Sequence, residues 1–427
     1  MRPMKWRMTY RYRVPRIVAN EPLMRPRPSS YNPSVNAVGP GTYEVWMSGP
    51  REGEEVRNVS MVYAHPTPTA VTPITDSDVE FVYYDFTPDN MLPEQISASV
   101  QWEFTTFELY TYWEDMPREA YDTSSELYQS YTHEEPPITY HQEMLAVTKD
   151  IVKEYAPEDP TDYKRKAMGC YNYMVQNFYY DYTQIPYVAL FGLKAMHDTE
   201  RAWQNKSGVC DEIANVYVAM LRSLGIPARP AAGMVHDFDI DDEGNILPIL
   251  AAGHAWVEFW LPDVGWVPAD PTWGQGNKQV IDPRLSILGN KRQVPTIDYF
   301  FGKHDPYRVV LFKDWNYTLA PKPKTPNCSK TEVWFVGYTD RTSGVREVSY
   351  GWEGITGYKG SAGQRHGWAR SESEAGYNFE MEIEMLGPPS KQELKEMIAE
   401  IEAEGYHYLP LPQMRGEFPI PTGCMHG

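Results

Sequence analysis

Apolar and polar residues alternate with a period of two through the first hundred residues. Thr9-Tyr-Arg-Tyr-Arg-Val14, Thr42-Tyr-Glu-Val-Trp46, Val79-Glu-Phe-Val-Tyr-Tyr84 and Ser97-Ala-Ser-Val-Gln-Trp-Glu-Phe104 all show it. Such runs, set between Pro- and Gly-rich segments, predict an antiparallel β-sandwich-like domain over residues 1–135. Segment 20–41 is proline-rich and reads as an exposed loop. Residues 114–136 are acidic and polar and read as a linker.

The period then changes. A helix is predicted near 140–155, and a second from about Thr161 to Tyr180. The second carries Met168, Tyr171, Met174, Val175 and Phe178 at helical spacing, with Asp159-Pro160 as its start. Residues 210–224 form the clearest helix. Ile213, Val216, Tyr217, Met220, Leu221 and Leu224 make one stripe, Gly225 supplies a left-handed cap, and Pro227 blocks continuation. Strands follow at 228–235, 254–261 and 266–269, the last two joined by the turn Pro262-Asp-Val-Gly265. Beyond residue 320 the pattern predicts strands at 332–338, 346–352 and 377–386. A helix then opens on the capping box Ser390-x-x-Glu393 and stops at Gly405. The expected class is α+β. Residues 136–320 form a central domain, and 321–427 a small C-terminal β/α module.

The net charge of −19 alters what such a molecule can bind. An acidic chain is repelled by nucleic acid and by anionic membranes, so a protein or peptide substrate is expected and nucleic acid is not. No run approaches the ~20 apolar residues that cross a bilayer. The basic leader, Arg2 to Arg27, lacks the apolar stretch that would make it a signal peptide. Four cysteines, at 170, 210, 328 and 424, form neither a disulfide framework nor a zinc knuckle. These features favour a cytoplasmic location.

Candidate chemistry starts at Ser207-Gly-Val-Cys210, which leads directly into the 210–224 helix. A cysteine at a helix N-terminus meets unpaired N–H groups and the positive end of the dipole, and both favour thiolate. The dipole alone is too weak to activate it fully, so a base is required. His254 stands 44 residues on, at the start of an apolar strand, and Asp270 follows after 16 more. A hairpin would bring His254 and Asp270 onto neighbouring strands, where the acid could hold the imidazole's tautomer. The register that decides whether they share a face is not legible in the sequence.

Four segments carry a resemblance. They are Gly208-Val-Cys210-Asp-Glu-Ile-Ala214, Leu221-x-x-Leu224-Gly-Ile-Pro-Ala-Arg229, Gly253-His-Ala-Trp-Val-Glu258 and Gly265-Trp-Val-Pro-Ala-Asp-Pro-Thr272. Together they resemble the core of the transglutaminase-like superfamily, tightly over about 205–275 and more loosely from ~140 to ~318. The resemblance implies a papain-like core with Cys210, His254 and Asp270 as its triad. Members include cross-linkers, peptidases, peptide:N-glycanases and inactive scaffolds. All three triad positions are filled here.

An acyl-transfer site also needs donors for an oxyanion. The Cys210 N–H is the first. Gln204, with its neighbour Trp203, and Tyr180 are side-chain candidates, and Trp256 and Trp273 are candidates for the substrate cleft. The acidic stretch His236–Glu243 departs from a calcium-loop pattern and reads as a solvated excursion, so no metal or cofactor is expected. The expected reaction is attack of the Cys210 thiolate on an amide, with hydrolysis favoured. Glutamine-directed cross-linking and a non-catalytic scaffold are the alternatives.

Overall fold

The computed structural model describes residues 3–13, 44–74, 79–85, 97–111, 119–135, 137–181, 199–240, 246–262, 264–275, 300–314 and 378–408, with short stretches at 316–317, 321, 331–332, 336–340 and 344–348. Segment 20–41, Cys328, Cys424 and residues 349–352 fall outside these.

Alternation in the N-terminal part produces β1 (Met4–Arg13), β2 (Glu44–Ser48), β3 (Val56–His65), β4 (Ala70–Ile74), β5 (Val79–Asp85), β6 (Ser97–Thr106) and the short β7 (Leu109–Tyr110). On β1, Trp6, Met8 and Tyr10 face inward and pair with Phe104, Trp102 and Val100 of β6. This is the period-two pattern expressed as a buried face. Strands β3 and β4 were not marked by the sequence pattern. Beyond Arg57, β3 is largely exposed, so it lacks the alternation that a buried face imposes.

The central part contains α1 (Glu126–Tyr131), α2 (Gln142–Tyr155), α3 (Tyr163–Asn177), β8 (Tyr179–Tyr180), α4 (Thr199–Asn205), β9 (Ser207–Gly208) and α5 (Cys210–Ser223). It continues with β10 (Ala228–Ile240), β11 (Ile246–Leu261), β12 (Gly265–Ala269), α6 (Pro271–Gly274), β13 (Lys303–His304) and β14 (Arg308–Phe312). The expected linker therefore holds a helix, α1, whose N-cap Ser125 accepts from the Tyr128 N–H. It is also fastened to the core. The Tyr121 hydroxyl donates to the Trp260 carbonyl at 2.6 Å, and Arg222 donates to the His133 carbonyl at 3.0 Å. Helix α3 starts later than expected, because the Asp162 side chain rather than Asp159-Pro160 caps it. The expected excursion after Val235 is largely strand: β10 runs to Ile240 and β11 resumes at Ile246, while residues 241–245 lie outside the described set.

Four antiparallel strands in the order β12-β11-β10-β14 make the central sheet, and α5 lies on β10 and β11. The amphipathic stripe of α5 faces a core, but so does everything else on it. Helices α2, α3 and α4 cover its other side, and every residue from Cys210 to Arg222 is buried. Two of the buried charged side chains there bond to nearby backbone. Glu212 accepts from the Val209 N–H at 3.0 Å, and Arg222 Nε donates to the Ala228 carbonyl at 2.8 Å. Gly225 ends the helix at φ +70°, as the sequence indicates.

The C-terminal segment supplies β15 (Asn316–Tyr317), β16 (Thr331–Glu332), β17 (Val336–Asp340), β18 (Gly344–Val348), β19 (Asn378–Gly387) and α7 (Lys391–Ala403). Expected as a separate module, it instead completes the N-terminal sheets. Their orders are β19-β1-β6-β3 and β18-β17-β2-β5-β4. The capping box of α7 forms as read, with Ser390 and Glu393 bonded to each other's backbone N–H.

The N-terminal sheets and the central sheet are joined by buried charge. Lys313, just past β14, lies 2.9 Å from Glu55 and 3.0 Å from Glu258 of β11, and Arg229 of β10 lies 2.8 Å from Glu258. Burial pushes the Glu258 carboxyl upward, but Lys313 and Arg229 overcome it and hold it at about 2. Replacing Lys313 with Met leaves Glu55 buried without that cation and Glu258 paired with Arg229 alone. The variant is expected to lose about 3–5 kcal/mol of stability. Urea unfolding at neutral pH measures it, and a loss under about 1 kcal/mol would contradict the assigned role.

Candidate active site

The site assembles across the central sheet, from β11, the residue after β12 and the start of β14. Register is the first determinant. Val257 pairs with Ala269, so Asp270, one residue past the ladder, falls level with Trp256 and on the same face as His254. The structure brings these two side chains together: His254 Nε2 lies 2.7 Å from Asp270 Oδ2, and both residues are buried.

Asp270 also caps α6. Its Oδ1 accepts from the Trp273 N–H at 2.9 Å, with Pro271 at the first helical position. Oδ2 takes a second donor, the Arg308 Nη1 at 2.6 Å. Burial alone would raise this carboxyl's pKa. The His254 and Arg308 charges and the three hydrogen bonds reverse that and hold it well below the usual carboxylate range. An ionised carboxylate can only accept, so the proton lies on His254 Nε2 and Nδ1 is the basic nitrogen.

Aromatic rings enclose the pair. Trp273 lies against the His254 ring at 5.2 Å between centroids, and Trp256 stacks at 6.1 Å. Both indoles, expected as substrate contacts, are thus walls of the imidazole's pocket. Arg308 is packed between the same two, 4.4 Å from the Trp273 ring and 5.2 Å from the Trp256 ring.

Cys210 is the first residue of α5. The helical ladder starts only with the Ile213 N–H donating to the Val209 carbonyl at 3.0 Å, so Cys210 stands in the turn that precedes it. A short parallel pairing supports this turn. Tyr180 of β8 is paired with Gly208 of β9, and the Asp181 N–H donates to the Gly208 carbonyl at 2.9 Å. A methyl on Gly208 would stand 2.8 Å from Glu212, whose carboxylate folds back to cap the helix. Cys170, on α3, is wholly buried, and burial pushes its thiol far up and keeps it protonated.

The side-chain donors expected near Cys210 have different fates. Gln204 is exposed and donates to Glu200 at 3.0 Å, one turn back along α4, rather than to the pocket. Trp203 is buried and stacked on Tyr173 at 5.8 Å, with the Lys206 ammonium over its ring. Tyr180 is buried and strapped beside the residues that lead into Cys210.

A sequence family described as the transglutaminase-like superfamily matches residues 149–271, the stretch that runs from α2 through Asp270. Those residues form a transglutaminase-like superfamily domain. Over 72 residues the chain is 39% identical to a protein-glutamine gamma-glutamyltransferase of Pseudomonas aeruginosa, a match covering 17% of this chain and 11% of that protein. Over 79 residues it is 35% identical to the uncharacterized protein YebA of Bacillus subtilis, covering 18% and 11%. The chain therefore spans about a tenth of the length of these relatives. Among solved structures, a candidate cysteine protease from Cytophaga hutchinsonii aligns with a TM-score of 0.38 and 12% identity, covering 92% of this chain and 93% of that one. The periplasmic domain of TgpA from Pseudomonas aeruginosa aligns with a TM-score of 0.30 and 15% identity, covering 55% and 88%.

Three residues around the His254–Asp270 pair were missed in the sequence. Arg308, Asp305 and His304 lie well beyond the motif segments. An arginine opening the apolar run Arg308-Val-Val-Leu-Phe312 was the one available signal. The α6 cap was legible in principle, because Asp-Pro reads as N-cap and first helical residue as well as a turn. Among the described residues no helix is long and apolar enough to cross a membrane. Among the same residues no group of three or more His, Cys, Asp or Glu is arranged to hold a metal ion.

Asp270 has a folded-state pKa below its unfolded value, so its contribution to stability is complete above about pH 4–5 and is lost as pH falls. The stability gap between wild type and Asp270→Asn should therefore hold from pH 6 to about pH 4.5 and narrow from there to pH 3. Urea unfolding across that range reads it, and a constant gap would mean that the carboxylate is not ion-paired in the fold.

Proposed function

We propose that the protein is a cysteine-dependent acyl-transfer enzyme in which Cys210 is the nucleophile, His254 the acid-base and Asp270 the orienter. The observation that carries this reading is the buried His254–Asp270 hydrogen bond. It commits Nε2 to the carboxylate and reserves Nδ1 for a proton exchanged with a thiol. A transglutaminase-like domain with a cysteine heading α5 supplies that thiol.

The reaction runs as follows. Cys210 thiolate attacks the carbonyl carbon of an amide, and the oxyanion forms against the Cys210 N–H. Tyr180, whose backbone pairs with Gly208, is the second-donor candidate we retain, because the Gln204 amide is engaged with Glu200. His254 gives its Nδ1 proton to the departing nitrogen, the C–N bond breaks, and a thioester remains. Nδ1 then takes a proton from the incoming water or amine, whose attack releases the acyl group and restores the thiolate.

Hydrolysis is the reading we favour, with a peptide or protein amide as substrate, as the acidic chain suggests. Amine transfer is the second reading, and the 39% identity to a gamma-glutamyltransferase supports it. The deciding experiment incubates a peptide library with wild type and Cys210→Ala, with and without a primary amine, and reads the products by mass spectrometry. Wild type should cleave peptides, and Cys210→Ala should be slower by at least about 10³-fold. Amine incorporation with loss of ammonia would replace hydrolysis by transfer, and equal product from both proteins would end the enzymatic reading.

A further inference from the structure

Arg308 holds a position that neither orienting nor base chemistry requires. Its Nη1 donates to the same Asp270 oxygen that receives His254, at 2.6 Å beside 2.7 Å. Its Nε donates to Asp305 Oδ2, also at 2.6 Å. Both Arg308 and Asp305 are buried, and Trp256, Trp273 and Phe300 pack around the guanidinium at 5.2, 4.4 and 5.4 Å. Water is thereby kept from a chain of alternating charge that runs from imidazole to Asp270, Arg308 and Asp305. At such short range and low polarity these charges act strongly on one another.

We propose that Arg308, balanced by Asp305, is a positioning residue of the site that locks the Asp270 carboxylate and sets the basicity of His254. The inference rests on the reading of His254 and Asp270 as the acid-base pair. The locking follows from the bonds. A carboxylate held only by an imidazole can swing about its Cβ–Cγ bond, whereas this one is pinned through Oδ1 by Trp273 and through Oδ2 by two donors. The tuning follows from charge. A fixed cation sharing the oxygen with an imidazolium opposes protonation of His254, and Asp305 restores part of what Arg308 removes.

Other ionisable groups lie around the imidazole, and neither substitution removes them. Strand β11 carries Glu258, which Lys313 and Arg229 neutralise. Strand β13 contributes His304, packed on Trp256 at 5.3 Å and kept neutral by burial and by the Arg308 charge. Helix α5 contributes Cys210, with Asp211 and Glu212 in the same turn.

Close approach of β14 makes the arrangement possible. Gly233 of β10 pairs with His254 on one side and Val310 on the other, and a methyl there would stand 1.8 Å from the Val309 carbonyl oxygen. The segment bearing Asp305 and Arg308 is held from the N-terminal side as well. Thr106 Oγ1 donates to the Pro306 carbonyl, and the Arg51 N–H donates to the Val310 carbonyl at 2.8 Å. The N-terminal sheets thus act on His254 through Arg308.

Two measurements on wild type, Arg308→Gln, Asp305→Asn and the double variant test this. One is the titration of the His254 imidazole by histidine-labelled NMR. The other is the pH dependence of Cys210 alkylation by iodoacetamide. Loss of Arg308 should raise the imidazole midpoint by about one pH unit, loss of Asp305 should lower it, and the double variant should return toward wild type. A residue that only braces the fold would lower stability without moving the midpoint in opposite directions. If Arg308→Gln does not fold, the downward shift in Asp305→Asn decides alone. Midpoints agreeing within about 0.3 unit across the folded variants would overturn the proposal. Slow alkylation of Cys210 together with shifted His254 midpoints would sink the nucleophile reading and leave this one standing.

Discussion

The Asp270 carboxylate is the point on which the site depends. It is buried and ionised, and a lone buried carboxylate would be too costly to keep charged. Three donors make it tolerable: an imidazole, a guanidinium and a backbone N–H at the head of α6. Each comes from a different part of the chain. The carboxylate therefore selects one arrangement of β11, α6 and β14. The tautomer of His254 follows from the same fact, since an acceptor-only group leaves a single choice of protonated nitrogen.

The N-terminal sheets are part of this arrangement. Charge at Lys313, Glu55, Glu258 and Arg229 couples them to the central sheet, and the chain from Phe300 to Lys313 is tied to both. The Thr111 N–H donates to the Gly302 carbonyl at 2.7 Å, and β13 pairs with β7. Strand β14, and Arg308 with it, is set from two sides. A rearrangement in the N-terminal part would reach the imidazole through one guanidinium, with no change in the motif segments themselves.

Helix α5 shows how context enlarges a local pattern. Its apolar stripe was sufficient to mark a helix and its core-facing side. It gave no sign that Asp211, Glu212, Asn215 and Arg222 would be buried too. Burial on that side comes from α2, α3 and α4, and Arg222 reaches a partner as distant as the His133 carbonyl.

What sequence determined alone was local. Period-two alternation marked β1, β2, β5 and β6, helical spacing marked α2, α3, α5 and α7, and Gly225 and Ser390 marked two helix ends. The motif segments around Cys210, His254 and Asp270 carried the family resemblance. These are legible because each depends on residues a few positions apart. Tertiary structure decided the rest: the pairing of β19 with β1 and β17 with β2, the register that turns Asp270 toward His254, and the arrival of Arg308 from 38 residues beyond its partner. Those are contacts between distant segments. Such contacts are selected by what each strand can bury and by which buried charges can be balanced, and no short stretch of sequence records either.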